Sequence, residues 1–161
     1  MSKKRIGTIE LGEVAFLSDS CYGTNSKWNC TMGVVAGTYN VYITRAEHKD
    51  DFYKGRVSNL IAIHKDYYKK YKTLPTDDKE QLFCAVDSGT CGIFDGEYFS
   101  QFHSEDDVDE NWYETNVIEM DDFTITDGKG AISSSGCGDG LYKVYATYDK
   151  DKAFALRIKF L

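Results

Sequence analysis

Three serines, three alternating glycines, a cysteine and an aspartate crowd into residues 133–140, Ser-Ser-Ser-Gly-Cys-Gly-Asp-Gly. Cys137 is the residue type that performs nucleophilic chemistry, but a thiol needs a base and nearby positive charge to ionise. Its sequence neighbours are glycines and Asp139, whose charge opposes a thiolate. The three histidines, His48, His64 and His103, are all remote in sequence. Nor is the order Gly-x-Ser-x-Gly, since Ser135 follows two further serines. Gly136, Gly138 and Gly140 suit a loop that needs positive φ or a close approach to a ligand. A phosphate cradle leads into a helix N-terminus, whereas this loop leads into the strand-like run Leu-Tyr-Lys-Val-Tyr. The glycines therefore predict a tight turn, with Ser135 and Asp139 as its ligand-facing side chains.

Other chemistry-bearing residues stand at the ends of apolar runs. Asp19, Asp87, Asp95 and Asp139 are four carboxylates that together would suit a divalent cation or an acid/base pair. Asp, Ser and Gly are equally turn formers, no Asp-x-Asp-x-Asp-Gly loop is present, and the histidines lack zinc-ligand spacing. No catalytic residue, metal ligand set or cofactor is assigned. The residues favour a small-molecule pocket: Arg56, His64 and Lys143 for anionic groups, and Tyr22, Trp28 and Tyr142 for stacking. Asp19, Asp87, Ser88, Ser135 and Asp139 would supply hydrogen bonds.

The elements that must position these residues are mostly strands. A short apolar run covers 13–18. From 34 to 44, Tyr39, Val41 and Ile43 alternate with Asn40, Tyr42 and Thr44, the period of a half-buried strand. Residues 56–64 form a further strand with a blurred alternation, and 82–86 and 92–94 are short strands around the turn Asp87-Ser88-Gly89-Thr90. At the C-terminus Leu141 to Tyr148 and Phe154 to Phe160 flank Asp-Lys-Asp-Lys, a hairpin. Phe154, Leu156, Ile158 and Phe160 should share one greasy face, with Ala155, Arg157 and Lys159 on a wet one. Residues 65–72 fit one or two helical turns or a polar loop. One helix is expected over 109–120, opened by acidic residues that oppose the positive end of its dipole. Trp112, Asn116, Glu119 and Met120 would share a face of it, with Val117 nearby. The expected fold is mainly antiparallel β, a sandwich or an open barrel with one short covering helix, and a β-rich α+β fold as the alternative. It would form a single β-rich domain over 1–161.

At 161 residues with 42% hydrophobic content the chain folds without needing disulfides or metals. Five cysteines, an odd number with no Cys-x-x-Cys pair, fit reduced thiols in a cytoplasm. No apolar run is long enough for a membrane span or a signal peptide. The net charge of −7 divides unevenly: residues 1–72 carry 12 basic and 7 acidic side chains, and residues 73–161 carry 7 and 19. That balance excludes a duplex nucleic-acid partner and leaves a small anionic ligand or a homo-oligomer open.

Several stretches taken together resemble a family of small bacteriophage proteins: "FLSDSCYGTNSKWNC", "GRVSNLIAIHKDY", "AVDSGTCGIFD", "NWYETN" and "GAISSSGCGDGLYKVYA" with "FALRIKF". Its signatures are Ser-Asp-Pro-Cys-Tyr, Arg-Val-Ala…His, Val-Asp-Ser-Gly-x-x-Gly-x-Phe-Asp and Ser-Ser-Gly-x-Gly-Asp-Gly-x-Tyr. The last two are similar to motifs of a bacterial domain family of unknown function. The matching positions are Ser18, Asp19, Cys21, Tyr22, Arg56, Val57, His64, Asp87, Ser88, Gly89, Gly92, Phe94 and Asp95, then Ser134, Ser135, Gly136, Gly138, Asp139, Gly140 and Tyr142. Ser20 departs from the family's proline, and Cys137 fills a slot that is typically aromatic, which the resemblance reads as evidence against a nucleophile. The resemblance supplies no reaction. It implies a non-enzymatic phage accessory protein in the host cytoplasm that binds and sequesters a small host ligand, a nucleotide-derived antiphage defence signal in its most concrete form. Two alternatives stand beside it. One is a metal-assisted hydrolase built on the strand-end aspartates. The other is an acidic inhibitor of a host factor that uses Glu105 to Glu110, Asp121 and Asp122.

Overall fold

A computed structural model describes residues 3–47, 52–69 and 82–161. His48 and the end of the 65–72 run lie outside the described residues. In chain order the elements are β1 (Lys3–Leu11), β2 (Val14–Ser18), β3 (Cys30–Gly33), β4 (Gly37–Arg45), β5 (Val57–His64), β6 (Leu82–Val86) and β7 (Thr90–Asp95). Next come α1 (Gly96–Phe102), α2 (Glu110–Tyr113) with a π-helical turn at Glu114–Ile118, and β8 (Phe123–Thr126). The chain finishes with β9 (Gly130–Ser134), β10 (Gly140–Asp149) and β11 (Lys152–Lys159). The strands form two antiparallel sheets, ordered β1-β4-β5-β11-β10-β6 and β3-β2-β7-β9-β8. The fold is a β-sandwich with helices on one side, and the open-barrel form is set aside.

Alternation within the strands explains the layers. Tyr39, Val41 and Ile43 of β4, Leu60 and Ala62 of β5, and Leu156 and Ile158 of β11 meet Ala15, Leu17, Cys91, Ile93 and Ala131 of the second sheet in the central core. The second sheet turns Phe94 and Ile132 outward, where Tyr98, Phe99, Trp112 and Val117 of the helical layer cover them. β5 is buried along its whole length because Ile61 and Ile63 pack outward under Tyr42, Tyr67, Tyr68 and Phe154. That two-sided burial is what blurred its alternation.

The structure departs from the sequence reading at several points. A register shift between Thr147 and Tyr148 turns Phe154 to the outer face, where it stacks on Tyr67 at 4.3 Å. The face expected to be wet is covered except at exposed Lys159: Arg157 is buried, hydrogen-bonded to Asn59 and set over the Tyr145 ring. The expected strand over 34–44 starts at Gly37, with Val34 making only an isolated bridge to Ala153. The expected helix is present from its Asp109 cap, whose carboxylate accepts from Trp112 N, but it ends in the π turn. The wider turn shifts the phase, so Glu119 is exposed while Val117 and Met120 pack inward. A second helix, α1, was not expected. Asp95 caps it through a hydrogen bond from Tyr98 N, and Tyr98, Phe99 and Phe102 supply its apolar face.

Candidate functional site

Two of the sequence's motif turns are the corners by which the chain passes from one sheet to the other. Residues 87–89 join β6 to β7, and 135–139 join β9 to β10. Since β6 pairs β10 and β7 pairs β9, the corners lie side by side, tied by Ser135 N donating to Gly89 O at 3.0 Å. Sharp corners need left-handed backbone, and Gly89, Gly136 and Gly138 have φ of 72°, 62° and 87°. At Gly136 a Cβ would also stand 2.1 Å from Val57 O.

Asp19, just past the end of β2, holds the first corner. Its carboxylate accepts from Asp87 N (2.6 Å), Ser88 N (2.8 Å), Ser88 Oγ (2.7 Å) and Cys21 N (2.8 Å), and the residue is fully buried. Four donors saturate the lone pairs of a carboxylate, so Asp19 positions the corner and offers nothing further to a ligand. Burial, reinforced by Asp19, pushes the Cys21 thiol up to about 12. Burial, with Asp19 and Asp87 next, pushes the Tyr22 phenol to about 12. Both groups are therefore protonated at neutral pH. Tyr113 approaches Ser88 from the helical layer, its pKa raised chiefly by burial. The second corner is braced from within, Ser135 Oγ and Tyr142 OH both donating to Gly138 O.

Arg56, immediately before β5, reaches this end of the sandwich. Its Nη1 donates to Gly136 O at 3.0 Å, and its guanidinium lies over the Phe52 ring at 4.3 Å. Among the described residues no carboxylate pairs with it. Beside it opens a cavity of about 280 Å³ walled by Arg56, Gly89, Asp122, Ser134, Gly136 and Gly138. A Cβ at Gly89 or Gly138 would meet nothing within 4 Å, so both glycines leave space open there. Asp122 is already engaged, by Arg45 Nη1 and by Ser134 Oγ at 2.7 Å.

The structure thus gathers Asp19, Tyr22, Arg56, Asp87, Ser88, Ser135, Asp139 and Tyr142 at one end of the sandwich, and three expected residues stand apart. His64 lies at the opposite end of β5, roughly 23 Å away along the strand, buried between Ala36 O and Asp66 N. Lys143 is on the outer face of the six-stranded sheet, over Tyr145. Trp28 sits in the 19–29 loop beside β6, its carbonyl accepting from Ala85 N. Arg45, Gly89, Asp122 and Tyr113 were missed as site residues. Gly89 lay within the Val-Asp-Ser-Gly motif, Tyr113 within Asn-Trp-Tyr-Glu-Thr-Asn and Asp122 within the acidic set, whereas no local pattern marks Arg45.

The four aspartates do not share a centre. Asp95 is at the far end of β7, about 17 Å along the strand from Thr90, accepting from Gly12 N and Tyr98 N. Among the described residues no group of three or more His, Cys, Asp and Glu is placed to hold a metal ion. Cys137 is exposed, and the two described histidines are bonded elsewhere. A wider groove of about 780 Å³ opens at the opposite end, with Glu10, Glu13, Asp95, Glu97 and Lys129 in its walls. Its carboxylates disfavour an anion. Among the described residues no helix is long and apolar enough to cross a membrane. No protein-family model matches the chain, and the curated proteins and solved structures contain no match to it.

Proposed function

We propose that this protein is a non-enzymatic binder of a small anionic ligand, taken at the corner end of the sandwich. The observation that carries the reading is Arg56, a guanidinium without a carboxylate partner among the described residues, set on the rim of a cavity lined by glycine backbone. A guanidinium presents a planar fork of donors matched to phosphate or carboxylate oxygens. The cavity is of a size for one such group, with the rest of the ligand lying across the neighbouring surface. There Phe52 and Tyr22 offer ring faces, and the exposed Asp87 and Asp139 offer acceptors for hydroxyls. Among the described residues no histidine is bonded at this end of the sandwich, which favours binding as its chemistry. Together with the phage-type motifs, this favours sequestration of a nucleotide-derived defence signal in a host cytoplasm.

Isothermal titration against a panel of cyclic and linear nucleotide signals tests the proposal. A member of the panel should bind the wild type, Arg56→Ala should weaken it at least tenfold, and Arg56→Lys should restore only part. Absence of binding to every member by folded protein overturns it.

A second reading rests on charge. Residues 96–122, which include α1, α2 and the π turn, contain ten carboxylates and no Lys or Arg. Such a layer favours docking against a basic host protein, and capture from host lysate lost on charge reversal at Glu105, Asp106 and Glu110 would distinguish it from ligand binding.

A further inference from the structure

The two sheets bring a second pair of reactive groups together beneath the first corner. Cys84 of β6 and Cys91 of β7 come from opposite sheets, and their Sγ atoms lie 3.6 Å apart. Both side chains are fully buried. They flank residues 85–90, the segment that contains Asp87, Ser88 and Gly89. We propose that Cys84 and Cys91 are an oxidative modification site, closing to an intersheet disulfide under a hydroperoxide.

The geometry asks for little. The sulfurs must come roughly 1.5 Å closer to reach bonding distance, and each belongs to a short segment ending in the same corner. Among the described residues β6 is an edge strand whose one strand partner is β10, with a single bond from Ala85 N to Trp28 O beyond it, so opening at the sheet edge admits a molecule as small as hydrogen peroxide. Once exposed, one thiol loses its proton and its sulfur attacks a peroxide oxygen. The S–O bond forms, the O–O bond breaks, and the departing hydroxide takes up a proton to leave as water. The second sulfur then attacks the sulfenic sulfur, the S–S bond forms, the S–O bond breaks and a second water leaves. Two thiols and one hydrogen peroxide become one disulfide and two waters. Burial, then the adjacent Cys84, holds the Cys91 thiol protonated in the closed state, so oxidation waits on opening and accelerates in alkali. The bridge fastens covalently the corner that Asp19 holds by hydrogen bonds.

The test uses the full-length chain. It is exposed to hydrogen peroxide, quenched, unfolded, alkylated and digested with trypsin. Residues 80–128 contain no Lys or Arg, so trypsin cutting after Lys79 and Lys129 leaves both cysteines, and none of the other three, in one peptide. The expected product is that peptide two hydrogens lighter and carrying no alkyl group, recovering two after reduction. The melting temperature should rise by about 5 °C on oxidation, and neither effect should occur in Cys84→Ala or Cys91→Ala. The mass readout on wild type stands even where a variant fails to fold. Two alkyl groups on this peptide after exposed Cys137 has been oxidised would overturn the proposal. So would added oxygen in place of lost hydrogen, or a link from this peptide to Cys137.

Discussion

Asp19 shows how a residue type readable as chemistry becomes architecture once its partners are known. Its carboxylate takes three backbone amides and one hydroxyl, all from segments that fold around it. Asp19→Ala leaves four partly buried donors without their acceptor, so urea denaturation should show a loss of about 2 kcal/mol or more. Next to it, Ser20 is fully buried and its Oγ has no hydrogen-bond partner among the described residues. A hydroxyl without a partner is desolvated for no return. Ser20→Ala should leave stability unchanged or raise it by up to about 1 kcal/mol, measured in the same titration. Sequence reasoning found Asp19 because its type and place at a strand end are local facts. It had no means of seeing the saturation of its lone pairs, which depends on Ser88, 69 residues away.

At the scale of elements, the helical layer is joined to the site loop through His103. The ring stacks on Phe99 at 3.7 Å, and its two nitrogens face Phe99 O and Ser20 O, each at 2.8 Å. Burial lowers its pKa below the ordinary histidine value, partly offset by those carbonyls. The folded protein then binds fewer protons than the unfolded chain once pH falls below about 6.5. Stability present above that pH should decline as pH drops towards the folded value, by at most about 1.4 kcal/mol per pH unit. Thermal melts from pH 7.5 to 5 should show this slope in wild type and a shallower one in His103→Gln. Element boundaries were legible where one rule dominated: the charged run 149–152, whose middle two residues turn between β10 and β11, and an aspartate cap at 109, whereas alternation marked β4 but placed its start three residues early. They were illegible where a bulge or a π turn inserted a residue, as at Phe154 and within Glu114–Ile118, because a shift of one position inverts the assignment of face.

For the molecule as a whole, the uneven charge of the chain becomes a spatial division. The carboxylates of residues 96–122 lie in and beside the helical layer over the five-stranded sheet. Lys3, Arg5, Arg157 and Lys159 sit on strands of the other sheet. Like charges packed into one layer repel, and salt screens them. The melting temperature should therefore rise between about 0.02 and 0.5 M sodium chloride, where the Debye length shrinks severalfold. No rise, or a fall, in a differential scanning series would show that attractive contacts such as Arg45–Asp122 outweigh the repulsion. The cavity beside Arg56 belongs to this scale too, since its walls come from segments beginning at residues 56, 89, 122 and 134.

The amino-acid order by itself determined that the protein is mainly antiparallel β, that its glycine-rich motifs are turns, and that Asp109 opens a helix. Those outcomes follow from side-chain alternation, backbone permissiveness and capping, which act within a few residues. Only the tertiary structure decided that two of the turns are adjacent corners, that Arg56 meets them while His64 and Lys143 do not, and that Cys84 faces Cys91. Those relations join residues through sheet order and register, and strand pairing across 80 residues leaves no mark on local spacing.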